Sequence, residues 1–153
     1  KLSLDSGIPL KIAGVVRKDE KGAQILFDEK VKPFLGSHIE YIGLVDDFKK
    51  IPFLAKAKAL IVPNRWDEPF GIMNIEALAC GTPIVATNKG SLKEIIINNK
   101  TGFLCDNYAE MLEAISNIDC LDNSECRRDA CKRFSVEKYT KDTLKIHNSL
   151  LKK

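Results

Sequence analysis

No stretch of this 153-residue chain is apolar for the ~18–20 residues a membrane-crossing helix needs, and no signal-peptide pattern opens it. Charge of one sign is also scarce. Lys and Arg number 24 against 21 Asp and Glu, and a net charge of +3 is too small to argue for nucleic acid. The two histidines, His38 and His147, stand far apart. The five cysteines (Cys80, Cys105, Cys120, Cys126 and Cys131) form no Cys-x-x-Cys and no Cys/His pairing at metal-ligand spacing, which argues against a zinc site. An odd set of thiols with no such pattern reads as small hydrophobic filler in a reducing cytoplasm. There is no Asp-x-Asp to hold Mn²⁺ or Mg²⁺ on a diphosphate, no Gly-x-Gly-x-x-Gly after a strand and no Gly-x4-Gly-Lys-Ser/Thr. Dinucleotide and P-loop chemistry therefore rank low. The expectation is a cytoplasmic chain with no bound metal and no cofactor.

What is present alternates strand and helix. Strands are expected at 10–16, 38–42, 59–62, 84–87 and 102–105, with helices near 20–34, 46–57, 71–80, 91–98 and 107–118. The strands at 59–62 and 84–86 are continuous apolar runs, the pattern of a parallel sheet covered on both faces. The fold class expected is α/β, a doubly wound Rossmann-like parallel sheet, in a single domain over 1–153. Two helices follow without an intervening strand, at 123–133 and 136–152, as a C-terminal helical extension. Ser135 is a candidate N-cap for the second, and Val136, Tyr139, Thr143, Ile146 and Leu150 make an apolar stripe along it. Such a stripe ordinarily packs into a core. Pro52, inside a helical stretch, is expected to move that helix start to about residue 51. Asn99-Lys100-Thr101 reads as a polar turn.

The richest segment runs from residue 59 to 83. An apolar strand ends at Pro63, and the loop Glu68-Pro-Phe-Gly-Ile-Met-Asn-Ile-Glu76 opens a helix whose stop is Gly81 and Pro83. Phe70 and Gly71 then offer backbone N–H groups at a helix N-terminus, a site suited to phosphate. A carboxylate repels phosphate and accepts from hydroxyls. Glu76 falls roughly 7 Å along the helix axis from Gly71, so one carboxylate stands on each side of a bound diphosphate. That is the layout of a nucleotide-sugar. On spacing alone, however, the pair reads more readily as two solvated acids.

The longer pattern decides between them. Pro63-Asn-Arg-Trp-Asp-Glu-Pro-Phe-Gly71, Ile75-Glu-Ala-Leu-Ala-Cys-Gly-Thr-Pro-Ile-Val-Ala-Thr87, Gly90 and Glu94-Ile95-Ile96 follow one another. So do Lys11-Ile-Ala-Gly14, Tyr41-Ile-Gly43 and Thr101-Gly-Phe-Leu104. Over roughly residues 10 to 118 the chain resembles the C-terminal, donor-binding half of the group 1 (family four) retaining glycosyltransferases of GT-B fold. The resemblance implies transfer of a sugar from a nucleoside diphosphate with retention of configuration. It implies that Glu68, the candidate catalytic residue, contacts donor-sugar hydroxyls and that Glu76 contacts the ribose. Phe70, Gly71, Ile72 and Met73 would bind the donor through main-chain N–H groups, and Val45 would line the nucleobase pocket.

The same resemblance exposes a departure. The family opens this domain with a strand, a Gly-Arg turn and a Lys that neutralise the diphosphate, whereas this chain begins in the helix that follows. The strand, the Arg/Lys pair and an N-terminal domain for a saccharide or lipid-linked acceptor are expected to be missing, as in a fragment of a longer protein. The alternative is a sheet in which strand 10–16 pairs directly with strand 59–62. A chain without those parts could also be a non-catalytic nucleotide-sugar-binding module. Arg17, Arg65 and Lys89 are the cations placed to substitute for the lost pair, although a solvated role suits each better. Ser91 stands where the family has a second glycine and is expected to cap the next helix. The basic residues Lys132, Arg133, Lys138, Lys141, Lys145, Lys152 and Lys153 suit a solvated face and also peripheral contact with an anionic membrane surface.

Overall fold

The computed structural model describes residues 1–17 and 19–151, the Lys21 side chain aside; Lys152 and Lys153 lie outside the described residues. The chain divides into two compact units, Lys1–Pro52 and Phe53–Lys153. All strand pairing is parallel, in two sheets.

The first unit opens with α1 (Leu2–Ser6), closed by Gly7 in a left-handed conformation. β1 (Leu10–Ala13) and β2 (Ile39–Gly43) pair in parallel, with α2 (Lys21–Lys30) and a 3₁₀ turn (Lys32–Phe34) between them. Both strands alternate in burial, so this sheet has one wetter face. β1 stops at Ala13, short of the expected 16, because Gly14 takes φ 150° and the pairing register slips there. The Tyr41 hydroxyl donates to the Gly14 carbonyl at 2.7 Å and pins that bend.

α3 (Asp47–Ala55) contains Pro52 in its interior, so the expectation of a start near 51 is corrected. Asp46 explains the earlier start. Its carboxylate accepts from the Lys49 N–H at 2.9 Å, an N-cap that organises the first turn ahead of the proline.

The second unit holds the larger core. β3 (Leu60–Val62), β4 (Ile84–Thr87) and β5 (Gly102–Cys105) form a parallel sheet in that order. Successive β4 residues Ile84, Val85 and Ala86 are fully buried, and since neighbours on a strand point to opposite faces, both faces are covered there. α4 (Ile72–Ala79) and α6 (Tyr108–Ser116) pack on this sheet, and α7 (Asn123–Phe134) packs on α4. Leu78, Ile84, Leu92, Ile95 and Cys126 form the centre of the cluster. Each large aliphatic side chain buried there contributes about 1.5–3 kcal/mol.

α4 ends as its sequence suggests. Gly81 takes φ 83°, its N–H donates to Leu78 O, and the Thr82 N–H donates to Ala77 O, the paired bonds of a Schellman stop. α5 (Leu92–Ile95) is shorter than the expected 91–98. The Arg133 guanidinium, from α7, donates to the carbonyls of Glu94 and Ile95, and Ile96 turns extended. Those carbonyls are satisfied from outside, so the helix has no need of another turn. In the turn that follows, Asn99 is left-handed and the buried Thr101 hydroxyl accepts from the Ile97 N–H.

α8 (Val136–Leu151) is capped by Ser135, whose hydroxyl accepts from the Lys138 N–H. Its apolar stripe is not core. Val136, Tyr139, Ile146 and Leu150 are all exposed, and no residue of the helix is buried among the described residues.

Candidate functional site

The loop between β3 and α4 carries the residues that the sequence singles out. Gly71 is the N-cap of α4, with φ 74° and ψ 69°, a left-handed conformation open to glycine and strained for most other residues. No side chain caps this helix end. Among the described residues, the main-chain N–H groups of Phe70, Gly71, Ile72 and Met73 have no hydrogen-bond partner. The helix thus presents a set of unpaired donors with the positive end of its dipole behind them.

The faces of α4 then sort the remaining residues. Asn74, Ala77 and Leu78 point inward and are buried. Ile72 and Met73 are exposed, and Glu76, one turn beyond Ile72, lies on the same outer face, half-buried. Glu68 is half-buried too. Its Oε2 accepts from Asn64 Nδ2 at 3.4 Å and from Trp66 Nε1 at 3.3 Å. A Cβ built on Gly71 would stand 3.2 Å from Glu68 Cγ, so the Glu68 stem lies directly over the helix N-terminus. The structure therefore brings together Glu68, Phe70, Gly71, Ile72 and Met73, with Glu76 one turn along.

Val45 belongs to the other unit, where it is half-buried. That unit holds a cavity of about 320 Å³ lined by Gly14, Val15, Gln24, Phe27, Tyr41 and Leu44, among others, with Val45 next in sequence to the lining. Phe27 and Tyr41 meet edge to face there at 4.8 Å between ring centroids.

Of the three cations, Arg17 pairs with Glu20 at 3.0 Å. The Lys89 ammonium donates to the Arg65 carbonyl at 3.0 Å, a bracing role. Arg65 makes no ion pair among the described residues. Among those residues no three His, Cys, Asp or Glu side chains gather as a metal site would need. No helix there is long and apolar enough to cross a membrane.

Sequence reasoning passed over the residues that hold this loop. Asn64 and Trp66 donate to Glu68, and Asp67 accepts from the Gly90 N–H at 2.9 Å. Ser91 holds the N-cap position of α5, as expected, but its side chain makes no cap bond there. Its hydroxyl donates instead to the Phe70 carbonyl at 2.9 Å. Of this set only Gly90, at φ 49°, leaves a mark in the sequence.

Comparison with known proteins places the chain. The family model described as Glycosyl transferases group 1 matches residues 1–136. An uncharacterized glycosyltransferase of Methanocaldococcus jannaschii is 32% identical over 123 residues, 74% of this chain and 34% of that protein. The sucrose-phosphate synthase of Thermosynechococcus elongatus has a TM-score of 0.80 at 24% identity, over 98% of this chain and 41% of that one. HepE of Anabaena, solved in complex with UDP and glucose, has a TM-score of 0.77 at 21% identity, over 97% of this chain and 44% of that one. The chain spans about a third of the curated relative's length and under half of each solved chain. At these identities the solved structures show a shared α/β fold, and the family match covers most of the sequence. The chain belongs to the group 1 glycosyl transferases.

Proposed function

We propose that this chain is the donor-binding half of an enzyme that moves a sugar from a nucleoside diphosphate to a saccharide or lipid-linked acceptor, with retention of configuration. The observation that carries the reading is the uncapped N-terminus of α4, with unpaired N–H groups between two half-buried carboxylates. The diphosphate would take the N–H groups of Phe70, Gly71, Ile72 and Met73. Glu68 would accept from the transferred sugar and act as the catalytic residue, and Glu76 would accept from the ribose. The HepE complex with UDP and glucose supports a nucleotide-sugar as the ligand class. Within the first unit taken by itself, Val45 would contact a nucleobase, next in sequence to a cavity walled by the Phe27 and Tyr41 rings.

Charge developing on the leaving diphosphate would be met by preorganised N–H dipoles, with no metal in the reaction. The reading places the chain in the cytoplasm, in keeping with five free thiols, and leaves peripheral membrane contact to the basic C-terminal helices.

Calorimetric titration of the intact protein with UDP-glucose and related sugar nucleotides tests the proposal. Glu76→Ala removes a charged hydrogen bond and is expected to weaken binding by about 1–3 kcal/mol. Unchanged affinity in that variant would sink the assignment. Binding without turnover in the intact protein would favour the non-catalytic module.

A further inference from the structure

The loop that carries Glu68 is held by a second loop rather than by its own helix. Segment 87–91, which joins β4 to α5, laces it at five points. The Thr87 hydroxyl donates to the Asn64 carbonyl at 2.9 Å and Lys89 Nζ donates to the Arg65 carbonyl at 3.0 Å. The Gly90 N–H donates to Asp67 Oδ1 at 2.9 Å. The Ser91 N–H donates to the Glu68 carbonyl at 3.0 Å, and its hydroxyl donates to the Phe70 carbonyl at 2.9 Å. The two loops are also in van der Waals contact. A Cβ on Gly90 would lie 2.7 Å from both the N and the O of Glu68.

Distances indicate which contacts set the carboxylate. The side-chain bonds to Glu68 are long, 3.3 and 3.4 Å, and the Trp66 indole that makes one of them is 62% exposed. Bonds of that kind contribute little beside water. The bonds on either side of Glu68, at the Asp67 carboxylate and the Phe70 carbonyl, are shorter at 2.9 Å, and Ser91 is only 9% exposed. We infer that Ser91 and Asp67 are positioning residues for Glu68: they fix the peptides around it and so aim its carboxylate, without touching the ligand themselves. A glycine at 91 would keep the N–H bond and lose the hydroxyl bond, so the link to Phe70 depends on serine in this chain.

The functional half of this inference rests on the donor reading, so its test needs a readout that does not. Trp66 is the single tryptophan of the chain and sits inside the laced loop. In the intact protein, Ser91→Ala and Asp67→Ala are expected to raise amide hydrogen exchange at Gly90 and Ser91, whose N–H groups donate to Asp67 Oδ1 and the Glu68 carbonyl, about tenfold, the scale of one lost hydrogen bond. Acrylamide quenching of Trp66 should rise with it, while exchange at Val85 and Ala86 stays as in the unmutated protein. Ser91→Thr and Asp67→Asn keep the hydroxyl donor and the oxygen acceptor and should restore both readouts. The affinity for UDP-glucose should fall about tenfold in the two alanine variants and recover in the conservative ones. Unchanged exchange at Gly90 and Ser91, or an equal rise at Val85 and Ala86, overturns the inference. Looser exchange in a protein that binds no sugar nucleotide upholds the positioning and refutes the donor reading. Tight UDP-glucose binding with exchange indifferent to both alanines does the reverse.

Discussion

Replacing Gly71 by alanine should destabilise the second unit for two separable reasons. At φ 74° an alanine bears left-handed strain of about 1–2 kcal/mol. Its Cβ would also stand 2.4 Å from Asn74 Nδ2, well inside contact distance. Asn74 is 1% exposed and packed on the inner face of α4, so its amide has nowhere to swing without disturbing the core. Overpacking of this kind costs about 1–3 kcal/mol. Together the two terms give about 3 kcal/mol, which at a urea m-value of about 2 kcal/mol/M lowers the midpoint by about 1.5 M. Trp66 fluorescence reports the transition from inside the affected loop.

A double-mutant cycle separates the terms. Asn74→Ala removes the obstacle, and it also removes a buried Oδ1 that has no hydrogen-bond partner. Relief of that orphan offsets the cavity left behind, so the single change should fall within about 1 kcal/mol of neutral. The Gly71→Ala/Asn74→Ala double variant should then regain about 1–2 kcal/mol, leaving only the backbone strain. A coupling smaller than about 0.5 kcal/mol, the usual limit of additivity, would refute the clash.

Two further outcomes follow from the core of the same unit. Gly102 faces Ile84 across the β4–β5 pairing, where an added Cβ would lie 2.1 Å from the Ile84 carbonyl oxygen. Backbone cannot give way there as a side chain can, so Gly102→Ala should lose about 3 kcal/mol or more in urea unfolding; a loss under 1 kcal/mol contradicts the close approach. Burial pushes the Cys105 and Cys126 thiols up to about 11, with nearby carboxylates adding to the rise. Folded thiols then keep protons that unfolded ones shed, so the contribution of these two groups to stability is flat below about pH 9 and falls toward 11. A Cys105→Ala/Cys126→Ala variant should fall less steeply over that window. Ellman titration of the native protein should find Cys120 and Cys131 reactive and these two silent until urea unfolds the chain.

Which parts of this fold were legible depended on how locally each was determined. β4 and β5 fall at the residues expected because Ile84–Thr87 and Gly102–Cys105 are short apolar runs with turn residues on both sides. α4 was equally plain, since its stop rests on Gly81 and Thr82 bonding back to its own last turn. α5 was misjudged for the opposite reason. Its end is set by Arg133, a side chain 38 residues from Ile95, and no window around the helix contains that information. The α8 stripe was read as packing from its period alone, and period says only that one face is apolar, not that anything covers it.

The site divides along the same line. In the function proposed above, recognition of hydroxyls needs particular side chains, so Glu68 and Glu76 were visible as letters. Recognition of a diphosphate by main-chain N–H groups needs a backbone shape, and almost any residue can supply one. Only Gly71, where the shape demands positive φ, had to be written into the sequence. The lacing of loop 64–70 is more hidden still, because four of its five acceptors are the carbonyls of Asn64, Arg65, Glu68 and Phe70, which every amino acid carries. Its side-chain donors, Thr87, Lys89 and Ser91, are ordinary polar residues with nothing in their spacing to mark them. A binding loop of this design can change most of its side chains and keep its geometry. Substitutions that disable it should therefore cluster at the glycines and at Ser91 and Asp67, with Phe70, Ile72 and Met73 tolerant of other side chains because their backbone N–H groups remain.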